Sequence, residues 1–552
     1  ERQAAVSGAA EGTLSEMVAH VGFSRADDFS GSTMACRERA MRVTGAMVDG
    51  HATNQYQMGE LLVQDVGSAS VTLATLVMEG ALGEGGADPA LNDLFHWVLG
   101  CFFHENKLGC AQVVSHVIAP PPPPMELDLD VEAWVPPTPP GKVLLDSLAA
   151  SAEALFAETA RVEVGGKRDG GKQGSVEAAA HAAAAISRGC VILSMLFRHG
   201  GGATKEIALR VPVDLPPPSH RTTLLHALLR WVELATSHTS TAADPDEILA
   251  TANSKGPGLA AAIGVGTSAV ADAATSLLKL LCGWLHDCPA AVRELLENPA
   301  NLFIVDVAAG RCSLLQLTEF DVGGFKSQIA AVKGLTCLTL GILLEYVEGT
   351  PRGRSASGAG GGGGGGAGMG YREHAWNREL VMKMIQNRVG ITPFMASIEA
   401  TKRAFAEAEA DQRRRARAAR GGRERSGSGV GGAERVQGTG DGALRLDTRF
   451  APLLDQAAEE ARRRVISLFT HGGGSSEGGD GKASLSGAAG IAPGEGGDSV
   501  GGTGLACVVE MQESEIATLK QELSEALSRV PRGRGEGGGV SALEAALKKQ
   551  VD

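Results

Sequence analysis

The chain has 552 residues, of which 43% are hydrophobic and 4% aromatic, and 64 acidic against 51 basic side chains give a formal net charge of −13. That is enough apolar material for a sizeable core, while the acidic balance argues against nucleic acid bound through the whole surface. Nine cysteines scattered from Cys36 to Cys507, with no C-x-x-C pair, read as reduced, buried thiols of a cytosolic protein and not as a disulfide framework.

The chain opens at Glu1, not at an initiator Met, and closes inside a helical pattern, so a fragment of a longer protein is expected. No secretory signal is visible at the amino end. Residues 1–350 read as helix after helix, with apolar residues at helical spacing over 35–48, 67–82, 91–104, 108–118, 143–157, 176–197, 221–238, 267–286, 290–297 and 325–347. Around Trp284, for example, Val270, Ala273, Leu277, Leu280, Leu281 and Leu285 recur at three and four residues. Apolar residues on nearly all sides, as in 334–344, mark helices buried on two faces. Paired helices of this length, without strands, imply an all-α fold of the α-solenoid kind, a right-handed stack with no central sheet. Arg188, Asp272 with Lys279, and Lys333 interrupt the longest apolar stretches. No transmembrane helix is therefore expected, and membrane work would be peripheral.

Loops punctuate this array. Pro120–Pro124, an acidic stretch and Pro136–Pro140 form a stiff insert with polyproline II character, which either spaces the helices or docks to an aromatic groove. Beyond residue 350 the composition changes. A Gly-rich linker (351–370) leads to a helical end of the head (371–411), then an Arg/Gly-rich linker (412–446) and an amphipathic helix (447–471). A second Gly-rich linker (472–506) precedes the start of a coiled-coil tail (507–552). There Val509, Ile516, Leu523 and Val530 fall seven apart, with Leu519 and Ala526 in the other core position.

Three constellations invite chemistry. Gly166, Gly171 and Lys172 have the spacing of a phosphate-binding loop. Gln173, however, stands where a Ser or Thr would hold magnesium, and no buried strand precedes, so a flexible insert is the simpler reading. His96, Cys101, His104, Cys110 and His116 crowd one region, at spacings that match no zinc arrangement; helix-borne residues with core cysteines explain them, and the same holds for Cys282 and Cys288 beside Trp284. Arg413, Arg414, Arg415, Arg417, Arg420, Arg423 and Arg425 reverse the local charge. They form either a solvated helix end or a surface for acidic lipid, an acidic partner or RNA. No catalytic, cofactor-binding or metal-binding residue is assigned, and no enzyme is expected.

Several segments, in order, resemble the general vesicular transport factor family of Golgi tethers. Cys101-Phe-Phe-His-Glu-Asn-Lys-Leu-Gly-Cys-Ala-Gln-Val-Val-Ser115 is similar to that family's Cys-Phe-Leu-Tyr-Lys-Asn-Gln-x-Gly segment, and Gly202-Ala-Thr-Lys-Glu-Ile-Ala-Leu-Arg-Val211 to a looser stretch. The most specific is Leu281-Cys-Gly-Trp-Leu-His-Asp-Cys-Pro-Ala-Ala-Val292, which resembles a Trp-Leu-x-x-Cys-Pro-x-Ala-Val run. Val332-Lys-Gly-Leu-Thr-Cys-Leu-Thr-Leu-Gly341, Met382-Lys-Met-Ile-Gln-Asn-Arg-Val-Gly390 with Phe394, and residues 450–466 follow. The Pro-, Gly- and Arg-rich inserts depart from the family pattern, and the family's long tail is absent here.

The resemblance implies an armadillo-like head, a parallel dimeric coiled coil, and tethering of transport vesicles to Golgi membranes before fusion. It implies Rab-type GTPases, golgins and SNARE proteins as partners. The expected location is cytoplasmic, peripheral on the Golgi membrane, with no cofactor and no nucleic acid. A different helical-repeat scaffold or cargo carrier is the alternative.

Overall fold

The computed structural model describes residues 31–63, 71–83, 89–119, 136–163, 172–215, 221–237, 257–316, 325–347, 378–425 and 450–472. Of these, 86% are helical, and the fold is all-α. The chain divides into two compact units, Glu1–Arg464 and Val465–Asp552; of the second, only the final turns of one helix are described. The heptad stripe 509–530 lies outside the described residues.

The first unit begins with α1 (Gly31–Val48), α2 (Ala52–Glu60), α3 (Leu73–Leu82), α4 (Pro89–Phe103) and α5 (Lys107–Ser115). Next come α6 (Pro140–Glu163), α7 (Lys172–Ala208), α8 (Leu224–Ser237), α9 (Pro257–Leu285) and α10 (Pro289–Glu297). The short α11 (Phe303–Ala308) and α12 (Ser313–Gln316) lead to α13 (Phe325–Tyr346), α14 (Arg378–Met384), α15 (Ile391–Arg425) and α16 (Phe450–Gly472). Side chains close the helix starts as capping physics requires: Thr72 accepts from Thr75 N at α3, and Asn106 from Gly109 N at α5. Helix α7 bends at Gly201, whose φ of 69° lies in the left-handed region open to glycine.

Two segments start differently from the periodicity reading. Val71–Thr72 and Arg221–Thr223, expected as helix, are strands that pair antiparallel with Leu62–Val63 and Pro212–Asp214. Two or three residues are too few to show a period. Among the described residues these two hairpins are the only sheets, and neither is central.

Helix α6 packs on α7, α7 on α9, α9 on α13, and α13 on α15, while α4 lies against α1 and α3. The interior is predominantly apolar, from Phe103 and Leu155 to Trp284 and Phe394, with buried polar side chains such as Gln55 and Thr339 among them. Three of the charges that break the apolar stretches, Arg188, Asp272 and Lys279, make contacts. Arg188 Nε donates to Leu82 O (2.8 Å) at the end of α3, and Gln328 Nε2 donates to Asp272 Oδ1 (2.7 Å) across α9 and α13. Buried Lys279 sits 5.3 Å from the ring centres of both Phe405 and Phe450.

Three helices, Glu177–Ala208, Thr267–Leu285 and Ser327–Tyr346, nevertheless reach the length and mean hydropathy of a membrane span, against the sequence expectation. One or two charges do not bring the average down. Their apolar windows are 61%, 83% and 83% buried, against neighbouring helices of the first unit.

Two boundaries also move. Residues 412–425, expected as the start of a linker, continue helix α15 through the arginines to Arg425; Ala and Arg are both strong helix formers. The amphipathic helix expected as a separate piece contributes residues 450–464 to the first unit. There Phe405 and Phe450 lie 5.5 Å apart, and Ala461 faces Gly341 of α13, where a side chain would not fit.

Candidate functional site

The phosphate-loop glycines Gly166 and Gly171 lie outside the described residues; Lys172 and Gln173 start α7. With Gln173 in the magnesium position, the chain is expected not to bind ATP or GTP. Equilibrium dialysis with labelled nucleotide checks this, and saturable binding abolished by Lys172→Ala would overturn it.

The His/Cys group is spread over several environments. His96 Nδ1 donates to Asn92 O (2.9 Å) within α4, and burial pushes the His96 pKa down, against the pull of that bond. His104 Nδ1 meets Asp49 Oδ1 at 2.8 Å, and its ring stands edge-on to that of His199. Gln55 Nε2 donates to Cys101 O (3.2 Å) and His104 O (2.8 Å), tying α2 to the end of α4. Cys110 is buried, its thiol pushed up to about 12 by desolvation, and desolvation lowers His116. Among the described residues no group of three His, Cys, Asp or Glu side chains is placed to hold a metal ion. A 10 Å³ cavity walled by Val113, Leu144, Leu193, Ala208 and Leu224 has room for about one water and is apolar.

A cluster of polar side chains lies where α9 ends. Trp284 is fully buried against Phe197 (centroids 4.7 Å apart), and its Nε1 donates to Lys205 O (3.2 Å). Lys205 is 7% exposed and donates through Nζ to His286 O, closing the end of α9. Burial lowers the Lys205 pKa, with Cys288 and Asp287 opposing; burial also raises the Cys288 thiol. Asp287 has φ 58°, and this left-handed turn brings its N–H to Tyr346 Oη (3.0 Å). Burial raises the Tyr346 phenol to about 12. His286, 5% exposed, sets Nδ1 2.9 Å from Asp287 Oδ2 and Nε2 3.6 Å from Glu460 Oε2.

This cluster joins segments that sequence reading quoted separately. Residues 202–211 supply Lys205, residues 281–292 supply Trp284 and His286, and residues 450–464 supply Glu460. Cys282 adds the 332–341 segment through Thr339 Oγ1 (3.3 Å) and Leu335 O (3.6 Å). The pairings of Lys205 and Glu460 carried no sequence signal, because a charge beside a helix end reads as solvated until its neighbour is known.

Of the arginine run, the side chains of Arg413 and Arg414 are described, and both are exposed; Arg413 pairs with Glu409 one turn earlier (2.6 Å). Pro120–Pro124 lies outside the described residues. No family model and no curated protein sequence matches the chain.

Proposed function

We propose that the chain is a vesicle-tethering factor of ER-to-Golgi and intra-Golgi transport, working through protein–protein contacts and not by catalysis. In this reading the stacked helices are an armadillo-like solenoid head, and residues 507–552 begin a coiled coil that pairs two chains. The observation that supports it is the convergence of the family-like segments 202–211, 281–292 and 332–341, with Glu460 of segment 450–466, on one junction. The likeness is carried by core residues separated by inserts. It bears on the fold first and on the activity through the fold.

The physics of such a role is consistent with the chain. Stacked helices offer extended surfaces to partners, and two heads on one tail give multivalent contact. Rab-type GTPases, golgins and SNARE proteins are the proposed partners, and the location is cytoplasmic and peripheral on Golgi membrane. Fluorescence microscopy of the tagged protein in cells is the test: juxtanuclear Golgi labelling is expected. Nuclear or uniformly cytosolic labelling would set the tether aside in favour of another helical-repeat scaffold.

A further inference from the structure

Helix α15 changes character along its length. Up to Phe405 it is packed: Phe394, Met395, Ile398, Thr401 and Phe405 are buried, the last beside Phe450. Beyond Phe405 none of its described side chains is buried, and residues 406–425 continue the helix for about 30 Å. This stretch holds no aromatic residue and no apolar side chain larger than alanine. It opens on Glu407, Glu409 and Asp411 and then turns basic, with seven arginines from Arg413 to Arg425 against Glu424 alone. Arg413 and Arg414 are exposed, and Arg413 pairs with Glu409 where the acidic band meets the basic one.

We infer that residues 413–425 are a contact for anionic membrane surfaces, with the headgroups of acidic lipids meeting the arginines along one side of the helix. Arg413, Arg417 and Arg420 recur at four and three residues and so share a face. A helix that carries charge but no apolar stripe does not sink into the acyl boundary. It rests on the headgroups, and its binding is electrostatic. Composition separates this surface from other acidic partners. A protein interface is anchored by large, mostly aromatic side chains at its centre, and single-stranded RNA stacks its bases on aromatic rings. The stretch offers neither. Alanine spacers and the Gly421–Gly422 pair leave charge density as the feature to be read, and a bilayer supplies that without any fixed order of groups.

The net charge of −13 does not oppose this. At physiological salt, exposed charges are screened beyond about 8 Å, so the arginines act on what lies next to them. The inference does not rest on the tethering reading. It adds direct lipid contact to a function proposed to work through proteins, and it holds for any helical scaffold that works at a membrane.

Flotation of the purified full chain with phosphatidylcholine vesicles, with and without about 30% phosphatidylserine, tests this. Binding is expected only with the acidic lipid. It should fall steeply between about 0.1 M and 1 M salt, where the screening length shrinks from about 10 to about 3 Å. One arginine close to such a surface contributes roughly fivefold, so three on one face give about a hundredfold. Replacing all seven arginines by Gln should therefore lower the partition about a hundredfold or more. Replacing them by Lys keeps the charge and should retain most of the binding. Gln and Lys are both good helix formers, and an unchanged circular dichroism spectrum shows that the head has kept its fold. Should the sevenfold variant fail to fold, Arg413→Gln, Arg417→Gln and Arg420→Gln together give the same reading from the shared face. No binding to the acidic vesicles, equal binding to neutral ones, or full binding by the Gln variants would overturn the inference. So would capture of an RNA oligonucleotide or poly-glutamate in preference to the vesicles. Cellular location tests the tether separately, and either result stands without the other.

Discussion

Trp284→Ala is expected to destabilise the head by about 3–5 kcal/mol, the cost of truncating a fully buried indole. The side chain fills the space between α7 and α9 against Phe197, and it also donates to Lys205 O. Deletion leaves a void beside the ring and a buried carbonyl that has lost a donor, and the two penalties fall on the same junction. Trp284→Phe retains most of the volume without the N–H, so it should cost distinctly less and separate packing from the hydrogen bond. Denaturant unfolding followed by circular dichroism measures both. An unchanged midpoint for the alanine variant would mean that α9 does not occupy the centre of the stack.

Gly334→Ala is expected to cost about 1–3 kcal/mol, an overpacking penalty. Helices α13 and α15 approach so closely at this position that a Cβ would overlap Ser397 O and Thr401 Oγ1. The hydroxyl can be removed but the carbonyl cannot. Thr401→Ala added to Gly334→Ala should therefore recover only part of the loss, and the two changes should be non-additive. Gly283→Ala in α9 is the control of opposite sign. Nothing lies within 4 Å of its Cβ position, so helix propensity alone should make it stabilising by up to about 1 kcal/mol. Equal destabilisation by both glycine replacements would show that backbone entropy and contact are not what distinguishes them.

Helix existence was legible wherever a long apolar period met a turn. The segments 91–104, 290–297 and 325–347 agree with Pro89–Phe103, Pro289–Glu297 and Phe325–Tyr346 to within two residues. Helix α2 (Ala52–Glu60) left no such trace, because two of its three buried residues are Asn54 and Gln55, held by hydrogen bonds that reach across to other segments. The arginine run was read either as a solvated helix end or as a surface for an acidic ligand, and α15 does carry its Ala and Arg residues on to Arg425. The candidate metal group was set aside on spacing, and the phosphate loop on Gln173 and the lack of a preceding strand. The polar junction that the structure does build went unread.

By itself, then, the sequence determined the all-helical class, the position of most helices and the burial of Trp284 within its apolar stripe. Each of these follows from local periodicity, in which residues three and four apart share a face. Only the tertiary structure decided how the stripes face one another. Trp284 meets Lys205 across 79 residues, and His286 meets Glu460 across a longer interval still. Whether a lysine is solvated or buried, and whether a carboxylate faces water or a histidine, depends on which helix packs over it. That choice is made by close fits such as Gly334 under Thr401 and Gly341 under Ala461, which no local pattern encodes.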